Sequence, residues 1–519
     1  RSARRNRTLA DLSRNIVCGN SLVDDNGVHE RAMNWHETFP EVFGRDQPGF
    51  DCIIGNPPWE RLKLQEREFF AFSAPKIAGA VNAATRRTAI ATLDRTNPEL
   101  HARYIQAKSN AERVLAYARN SGKYPLTGHG DINYYTLFAE LARTLVAPNG
   151  LVGLLTPSGI ATDKSCQAFF NAMMDDCRLH GFHDFENRKG IFADLHRSFK
   201  FCTLIFGGEN RTTASSDFVF FAHAMTDLND NDRHIELSPD DMALMNPNTR
   251  TCPIFRSRRD AEFTRAIYNR IPILIDRNRK AGGNPWGAKF VRMFDQTNDA
   301  EEFRTGDELK KKRFKLDGNQ WRKGKTTYLP LYEAKMVQMY DHRAAGVVVQ
   351  EENWMRQGQT KPSSLVAHQN PEFSVQPRWW VNAESVTKAM EANPREWYLC
   401  YKDVTSPTNE RTMIAAYIPH SGVVNSAPLA LTGEEVSPRR ELCLLANMNA
   451  FVYDFVARQK VGGLHLNFFI VEQLPTLAPD VYADRFPWTK RKKLETWISD
   501  RVLKLTCTAN DLRPLAEAA

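Results

Sequence analysis

The chain has 519 residues, enough for two or three domains with separate cores. Hydrophobic residues make up 42% and charged residues 25%, the balance of a globular protein; no apolar run is long enough to span a bilayer, and no secretory signal opens the sequence. The net charge of +8 permits a polyanionic partner without requiring one, and nine scattered Cys with no C-x-x-C pair suggest neither a zinc site nor a disulfide framework. Unpaired thiols point to a reducing cytoplasm.

The opening "RSARRNR" begins with Arg rather than Met and has the look of a cut or processed start with solvated charges. "NIVCGNSLV", from Asn15, predicts a strand ending in the polar tip Gly19-Asn20-Ser21. "NWHETFPEVF" predicts a loop with a short helix. Phe50 to Ile54 forms the next apolar run, which stops at Gly55 and is followed by Asn56, Pro57, Pro58 and Trp59. A plain turn needs a Gly or one Pro, not this set. Two prolines stiffen the backbone and remove two donors, which leaves carbonyls free to accept. With the Asn56 amide and the flat Trp59 ring, these residues suit a planar group that bears an NH2.

Residues 64–121 are rich in Ala, Arg and Lys and interrupt the alternation, so they read as a helical insertion; a solvated helical hairpin is favoured over a dedicated site. "YYTLFAELARTLVAPNGLVGLLTP" predicts a helix from Tyr134 to Val146, a Pro-Asn-Gly turn and a strand from Leu151 to Thr156. "SFKFCTLIFGG" predicts a further strand. Strands separated by helices imply a mostly parallel sheet covered on both faces, with its ligand beyond the carboxyl ends. From about Asp240 to Leu474, aromatics mix with Arg and Lys in short strands and loops, as in "QWRKGKTTY" and "QPRWW". The tail from Tyr482 is expected to be helical. The predicted organisation is a first domain over 1–239, a second domain over 240–480 and a tail over 481–519.

"NPPW" after an apolar strand resembles motif IV of amino-group DNA methyltransferases. Together with "NWHETFPEVF", "YYTLFAELARTLVAPNGLVGLLTPSGIATD", "DFENRKGIFADLHRSFKFCTLIFGG" and "VARQKVGGLHLNFFIVEQLP", it resembles the large adenine methyltransferases of type IIG restriction enzymes and of BREX- and DISARM-type phage defence. The resemblance implies an α/β, Rossmann-like class I methyltransferase sheet followed by a mixed α+β target-recognition domain. It implies methyl transfer from S-adenosyl-L-methionine to the N6 amino group of an adenine flipped out of double-stranded DNA. Asn56, Pro57, Pro58 and Trp59 are the implied catalytic set, with no metal and no protein nucleophile. Phe192 is the best match for the second face of the base pocket, with Phe199 its rival. "VCGNSL" resembles motif III, with Asn20 where an Asp is usual, and so places Asn20 and Ser21 against the cofactor's adenine.

The sequence departs from the family at its start. No acidic-aromatic-x-G-x-G element precedes Asn56, so the glycine-rich cofactor strand is expected upstream of Arg1, in the same protein. Other defence-system proteins are further implied partners. The alternative is a non-catalytic DNA-binding or specificity component on a degenerate methyltransferase fold; a protein or RNA methyltransferase is disfavoured by the long basic second half. His465, Asn467, Trp379 and Trp380 look chemical, but loop and packing roles are favoured for them.

Overall fold

The computed structural model describes residues 15–80, 83–348, 359–486, 488 and 492–519; the basic opening segment lies outside them. The chain divides into two compact units, residues 1–240 with 256–258, and residues 241–255 with 259–519. Among the described residues no helix is long and apolar enough to cross a membrane.

The first unit is built on six strands: β1 (Phe50–Gly55), β2 (Val146–Pro157), β3 (Leu179–Glu186), β4 (Lys200–Gly207), β5 (Ser216–Ala222) and β6 (Ile235–Leu237), in the order β1-β2-β4-β3-β5-β6. β1 pairs with β2, and β3 with β5, in parallel. β4 is antiparallel to both β2 and β3, and β6 to β5. The sheet is therefore mixed rather than mostly parallel, because the apolar run of β4 fixes burial but not direction. One consequence is geometric. The carboxyl ends of β1, β2 and β3 meet the amino end of β4 along one rim.

Two other expectations are corrected. "NIVCGNSLV" forms no strand: Ile16 and Val17 are exposed, and Asn20 makes only an isolated bridge to Ala32. Leu22 and Val23 are buried instead, packed with Tyr124, Ile132 and Leu137. The Pro148-Asn149-Gly150 turn lies inside β2, where the register with β1 shifts between Phe50↔Val146 and Cys52↔Leu151. The extra residues are absorbed as a bulge rather than ending the element.

Short helices α1 (Trp35–Thr38) and α2 (Pro40–Phe43) lead into β1, as expected. Their rings Trp35, Phe39 and Phe43 pack edge-on against Phe50 at the strand's first residue. The insertion consists of α3 (Glu66–Ser73), α4 (Pro75–Ala78), α5 (Ala83–Ala91), α6 (Leu93–Thr96) and α7 (Pro98–Asn120). It has a core of its own, formed by Phe70, Ile77, Ile90, Leu93, Leu100 and Tyr104. α8 (Tyr134–Leu145) packs against β2 and buries Leu137, Ala142 and Leu145. The buried Glu140 of α8 accepts from the Leu126 and Thr127 amides, each at 2.9 Å, and from the Thr127 hydroxyl at 2.6 Å. These bonds satisfy a carboxylate that burial alone would penalise.

The second unit contains a sheet centred on Thr326–Tyr332, which pairs with Trp380–Asn382, Gln320–Lys323 and Gly422–Val423. A four-stranded sheet is centred on Trp397–Tyr401. Trp380 is buried against Trp321, with its indole N–H donating to the Asn319 carbonyl at 2.7 Å; the Arg378 guanidinium stacks on Trp379. The tail is helical over Leu494–Thr506 and packs on Pro438–Met448, with ion pairs Arg439–Asp500 and Arg440–Glu495 at 3.2 Å. Arg343 is fully buried, and its charge is spread over the carbonyls of His368, Asn370, Phe373 and Thr508.

Gly49 sets the entry to β1. Its φ is +109°, and a Cβ there would lie 2.7 Å from both the Leu145 oxygen and the Ala147 nitrogen. Backbone crowds it on that side, so no flexible side chain can yield. Gly49→Ala is expected to lower the stability of this unit by about 1–3 kcal/mol, the scale of a residue held in a disfavoured backbone region. An unchanged urea midpoint would contradict that expectation.

Candidate functional site

The rim where β1, β2 and β3 end is the candidate site. Gly55 is in register with Leu154 of β2, which fixes where the Asn56-Pro57-Pro58-Trp59 turn leaves the sheet. The chain beyond is held by a second short pairing: the Leu62 amide donates to Ile132 at 2.8 Å, and the Tyr134 amide to Glu60 at 3.0 Å. Pro57 is buried, whereas Asn56 and Pro58 are exposed. The Asn56 side chain makes no hydrogen bond with the described residues, so its amide is free to face a ligand. The carbonyl of Pro57 precedes Pro58, which has no N–H to offer.

Trp59 is fixed by its indole N–H, which donates to the Leu155 carbonyl of β2 at 3.2 Å. Around it lie three phenylalanines. Phe199 is parallel to Trp59 (6°) with ring centroids 5.5 Å apart, and Phe201 is nearly parallel (24°) at 5.9 Å. Phe192 stands edge-on, at 78° and 5.7 Å. Phe185 stacks on Phe201 at 5.4 Å and extends the aromatic floor into the core. These separations lie within the range of favourable aromatic pairs. Phe192 and Phe199 were both read from the sequence, and the structure brings both to Trp59; Phe185 and Phe201 were not.

The loop that carries Phe192 and Phe199 is braced by Asn187, which is fully buried. Its side-chain NH2 donates to the Phe192 carbonyl at 2.8 Å and to the Leu195 carbonyl at 2.9 Å, and its oxygen accepts from the Phe192 amide at 3.0 Å. Its backbone N–H donates to the Phe199 carbonyl at 2.9 Å. One side chain thus ties the middle of the loop, and its own backbone ties the far end. Nothing in the sequence marks this asparagine, since its partners are backbone atoms.

Behind the floor, on the opposite face of β3 and β4, Asp184 is buried and accepts from the Ser158 hydroxyl and from the Phe221 amide at 3.1 Å. Burial raises its pKa. Lys200, at the start of β4, sits with its Nζ 4.2 Å above the Phe221 ring, and burial lowers its pKa. Ser158 follows β2, so the Asp184–Ser158 bond links the ends of two strands that β4 separates.

A groove of about 470 Å³ runs along β1 on its unpaired side, lined by Ser21, Trp35, Phe50, Ile54, Asn56, Pro57 and Phe138 among others. Ser21 therefore shares this groove with the Asn56 turn, whereas Asn20 lines a different cavity with Glu60 and Arg61. Asn20 also uses its side-chain oxygen locally, accepting from the Leu22 amide at 3.1 Å. The groove offers apolar and aromatic walls and one free amide, which suit a nucleobase or an aliphatic chain. It contains no acidic residue, the group that commonly holds a ribose diol. These residues fit part of a nucleoside cofactor, not the whole of it. His465 bonds to Asp403 at 2.8 Å within the second unit.

Comparison with known proteins bears on the first unit. Residues 1–89 and 104–192 match the Eco57I restriction-modification methylase family, so the expected resemblance stands for those residues. No curated protein matches the chain. Among solved structures, the type IIL restriction-modification enzyme MmeI in complex with DNA is similar over 95% of this chain and 57% of its own, with 10% identity and a TM-score of 0.39. A nuclease-deletion mutant of the type ISP enzyme LlaGI with a DNA substrate mimic covers 87% of this chain and 36% of its own, with 11% identity and a TM-score of 0.39. A type I methyltransferase subunit from Streptococcus thermophilus covers 40% of each chain, with 12% identity and a TM-score of 0.23. The chain spans little more than half the length of MmeI.

Asn187→Ala is expected to leave buried amide and carbonyl groups of the loop unpaired and to cost about 1–3 kcal/mol. Limited proteolysis should then cut within residues 188–198 faster than in the wild type. Equal cleavage rates would show that the loop is held by its phenylalanines instead.

Proposed function

We propose that the protein is a site-specific DNA methyltransferase that modifies the N6 amino group of adenine, working with S-adenosyl-L-methionine in a restriction-modification or phage-defence system. The observation that carries this reading is the Asn-Pro-Pro-Trp turn at a strand's carboxyl end, with a free amide beside an aromatic platform. The adenine amino lone pair is delocalised into the ring, which makes the nitrogen a poor nucleophile. Asn56 Oδ1 and the Pro57 carbonyl each accept one N6–H bond and favour the tetrahedral nitrogen of the transition state. Such preorganised groups act where charge develops. S-adenosyl-L-methionine supplies a methyl group on a sulfonium.

The base must leave the duplex to reach the turn. Trp59 offers one face, and stacking is worth about 1–3 kcal/mol per base. Phe192 and Phe199 both stand beside Trp59, and they are the candidates for the second ring. In the second unit, the basic-aromatic segments "QWRKGKTTY" and "QPRWW" support a role in reading the DNA, since sequence is read at groove edges by side chains and phosphate contacts only position. Trp380, being buried, serves packing in that role.

The non-catalytic alternative is not favoured, because the Asn56 amide is unencumbered and the turn intact. Ser21 meets the groove and supports a cofactor contact better than Asn20 does. β1 is open along its outer edge: Asp51 and Cys52 are exposed and Ile54 is 85% exposed. Apolar edge strands invite pairing. We therefore place the remainder of the cofactor site on further strands that pair with β1, the glycine-rich strand among them.

Asn56→Ala in the full-length protein is expected to lower methylation by at least about 100-fold, the scale of losing one preorganised group. DNA affinity should stay within a few-fold. Near wild-type methylation would remove Asn56 from the mechanism. The 519-residue chain alone is expected to bind S-adenosyl-L-methionine weakly, with no saturation at micromolar concentrations by calorimetry. Tight one-to-one binding would place a complete cofactor site within these residues.

A further inference from the structure

Far from the Asn56 turn, on the last strands of the sheet, three side chains converge. His183 comes from β3, Asp217 from β5, and His234 immediately precedes β6. One donor atom from each lies within 4.8 Å of the others. The two imidazoles meet a single carboxylate oxygen: His183 Nε2 is 3.0 Å, and His234 Nδ1 2.7 Å, from Asp217 Oδ2. All three side chains are partly open to solvent, at 15%, 35% and 28%. An ion could reach them and keep a water ligand.

We infer that His183, Asp217 and His234 form a binding site for one divalent transition-metal ion, which clamps β6 and the segment before it to the sheet. The first argument is the tautomer of His234. Its Nε2 lies 2.9 Å from the Leu228 carbonyl, an acceptor only, so Nε2 carries a proton. In the neutral ring Nδ1 then presents a lone pair to both Asp217 oxygens, at 2.7 and 2.9 Å. Acceptor facing acceptor is stable only with a cation between them, either a proton or a metal ion. A metal-bound imidazole that donates its other N–H to a backbone carbonyl is the usual outer arrangement around such ligands.

The second argument is the donor set. Two imidazoles and one carboxylate suit zinc and its first-row neighbours rather than magnesium or calcium, which prefer all-oxygen shells. Tetrahedral ligands at about 2.0–2.1 Å from zinc lie roughly 3.4 Å apart, so the two imidazole–carboxylate separations of 3.0 and 2.7 Å would widen by well under about 1 Å around an ion. Three protein ligands leave a fourth position for water.

The third argument is need. β6 has three residues, and the segment before it holds only two short 3-10 turns, Met225–Asn229 and Asn231–Arg233. β6 buries Ile235 and Leu237, but the segment before it leaves Met225 exposed, and a metal bridging β3, β5 and His234 would tie the end of that segment to the sheet. The nearby cations are already engaged. Arg258 donates to the carbonyls of Asn231 and His234, and Arg233 pairs with Asp230 at 3.5 Å. Glu236 stands opposite Asp217 across the β5–β6 pair and adds negative charge to the same edge.

The test uses the full chain, freed of metal with a chelator, in a Cys18→Ser, Cys52→Ser background, because those exposed thiols bind soft metals themselves. Cobalt(II) is titrated and followed by its visible absorption, and zinc(II) by its effect on the thermal midpoint. The expected result is one equivalent of cobalt with a tetrahedral spectrum and a midpoint raised by zinc. Asp217→Asn and His183→Gln should each weaken binding at least about tenfold, the loss caused even by removing an outer partner of a metal ligand, and should abolish the zinc shift. Should a variant fail to fold by circular dichroism, the wild-type stoichiometry and spectrum still decide. No saturable binding, or undiminished binding in folded variants, overturns the inference and leaves the trio a hydrogen-bonded imidazole–carboxylate pair of contacts.

Discussion

The antiparallel run of β4 between β2 and β3 is the constraint on which the candidate site depends. β4 begins where its neighbours end, so the loop from Asn187 to Phe199 must fold back over the rim of the sheet. Had β4 run parallel, its first residues would lie at the opposite edge, and Phe199 and Phe201 would face nothing near Trp59. Because β4 pairs along nearly its whole length on both sides, its register is set by many backbone bonds. A one-residue slip would turn Phe201 to the other face and bring Lys200 to Trp59.

The two faces of β4 at this rim do different work. On one, Phe199 and Phe201 form an aromatic floor. On the other, Lys200 meets Phe221 and Asp184 holds Ser158. Asp184 is hydrogen-bonded to Ser158 and to the Phe221 amide and pins two strand ends, whereas the Lys200 Nζ has only the Phe221 ring beneath it and no hydrogen-bond partner among the described residues. Asn187 pins the loop with neutral bonds. The site is thus braced by short-range polar contacts at its edges and by rings at its centre, an arrangement that fixes ring planes without filling the space in front of Asn56.

Much of the first unit was legible because its signals are local. The stop at Gly55 followed by Asn56-Pro57-Pro58-Trp59 is a strand end in any context, and α8 is amphipathic and close to its expected bounds. What failed was non-local. Ile16 and Val17 carry the composition of a strand, but a strand needs a partner, and both are exposed with none among the described residues. The direction of β4 depends on which neighbours it joins, which periodicity does not encode. Asn187 was invisible because it bonds to backbone, and His183, Asp217 and His234 because they come together from two strands and the residue before a third, at spacings that match no local motif.

The insertion between β1 and α8 has a consequence for how this chain can vary. Phe70, Ile77, Ile90, Leu93, Leu100 and Tyr104 bury one another, and Glu66 closes the group by accepting from Arg86 and from the Tyr104 hydroxyl at 3.0 Å. A segment that satisfies its own apolar and polar groups places few demands on its host. Turns of helix could be added or trimmed by drift among α3 to α6, with local repacking, but not along the end of α7, whose Val114 and Ala118 pack with Leu62 and Leu137. The strand register that positions Asn56 and Trp59 would not feel the change, so this is the part of the unit in which length is evolutionarily cheap.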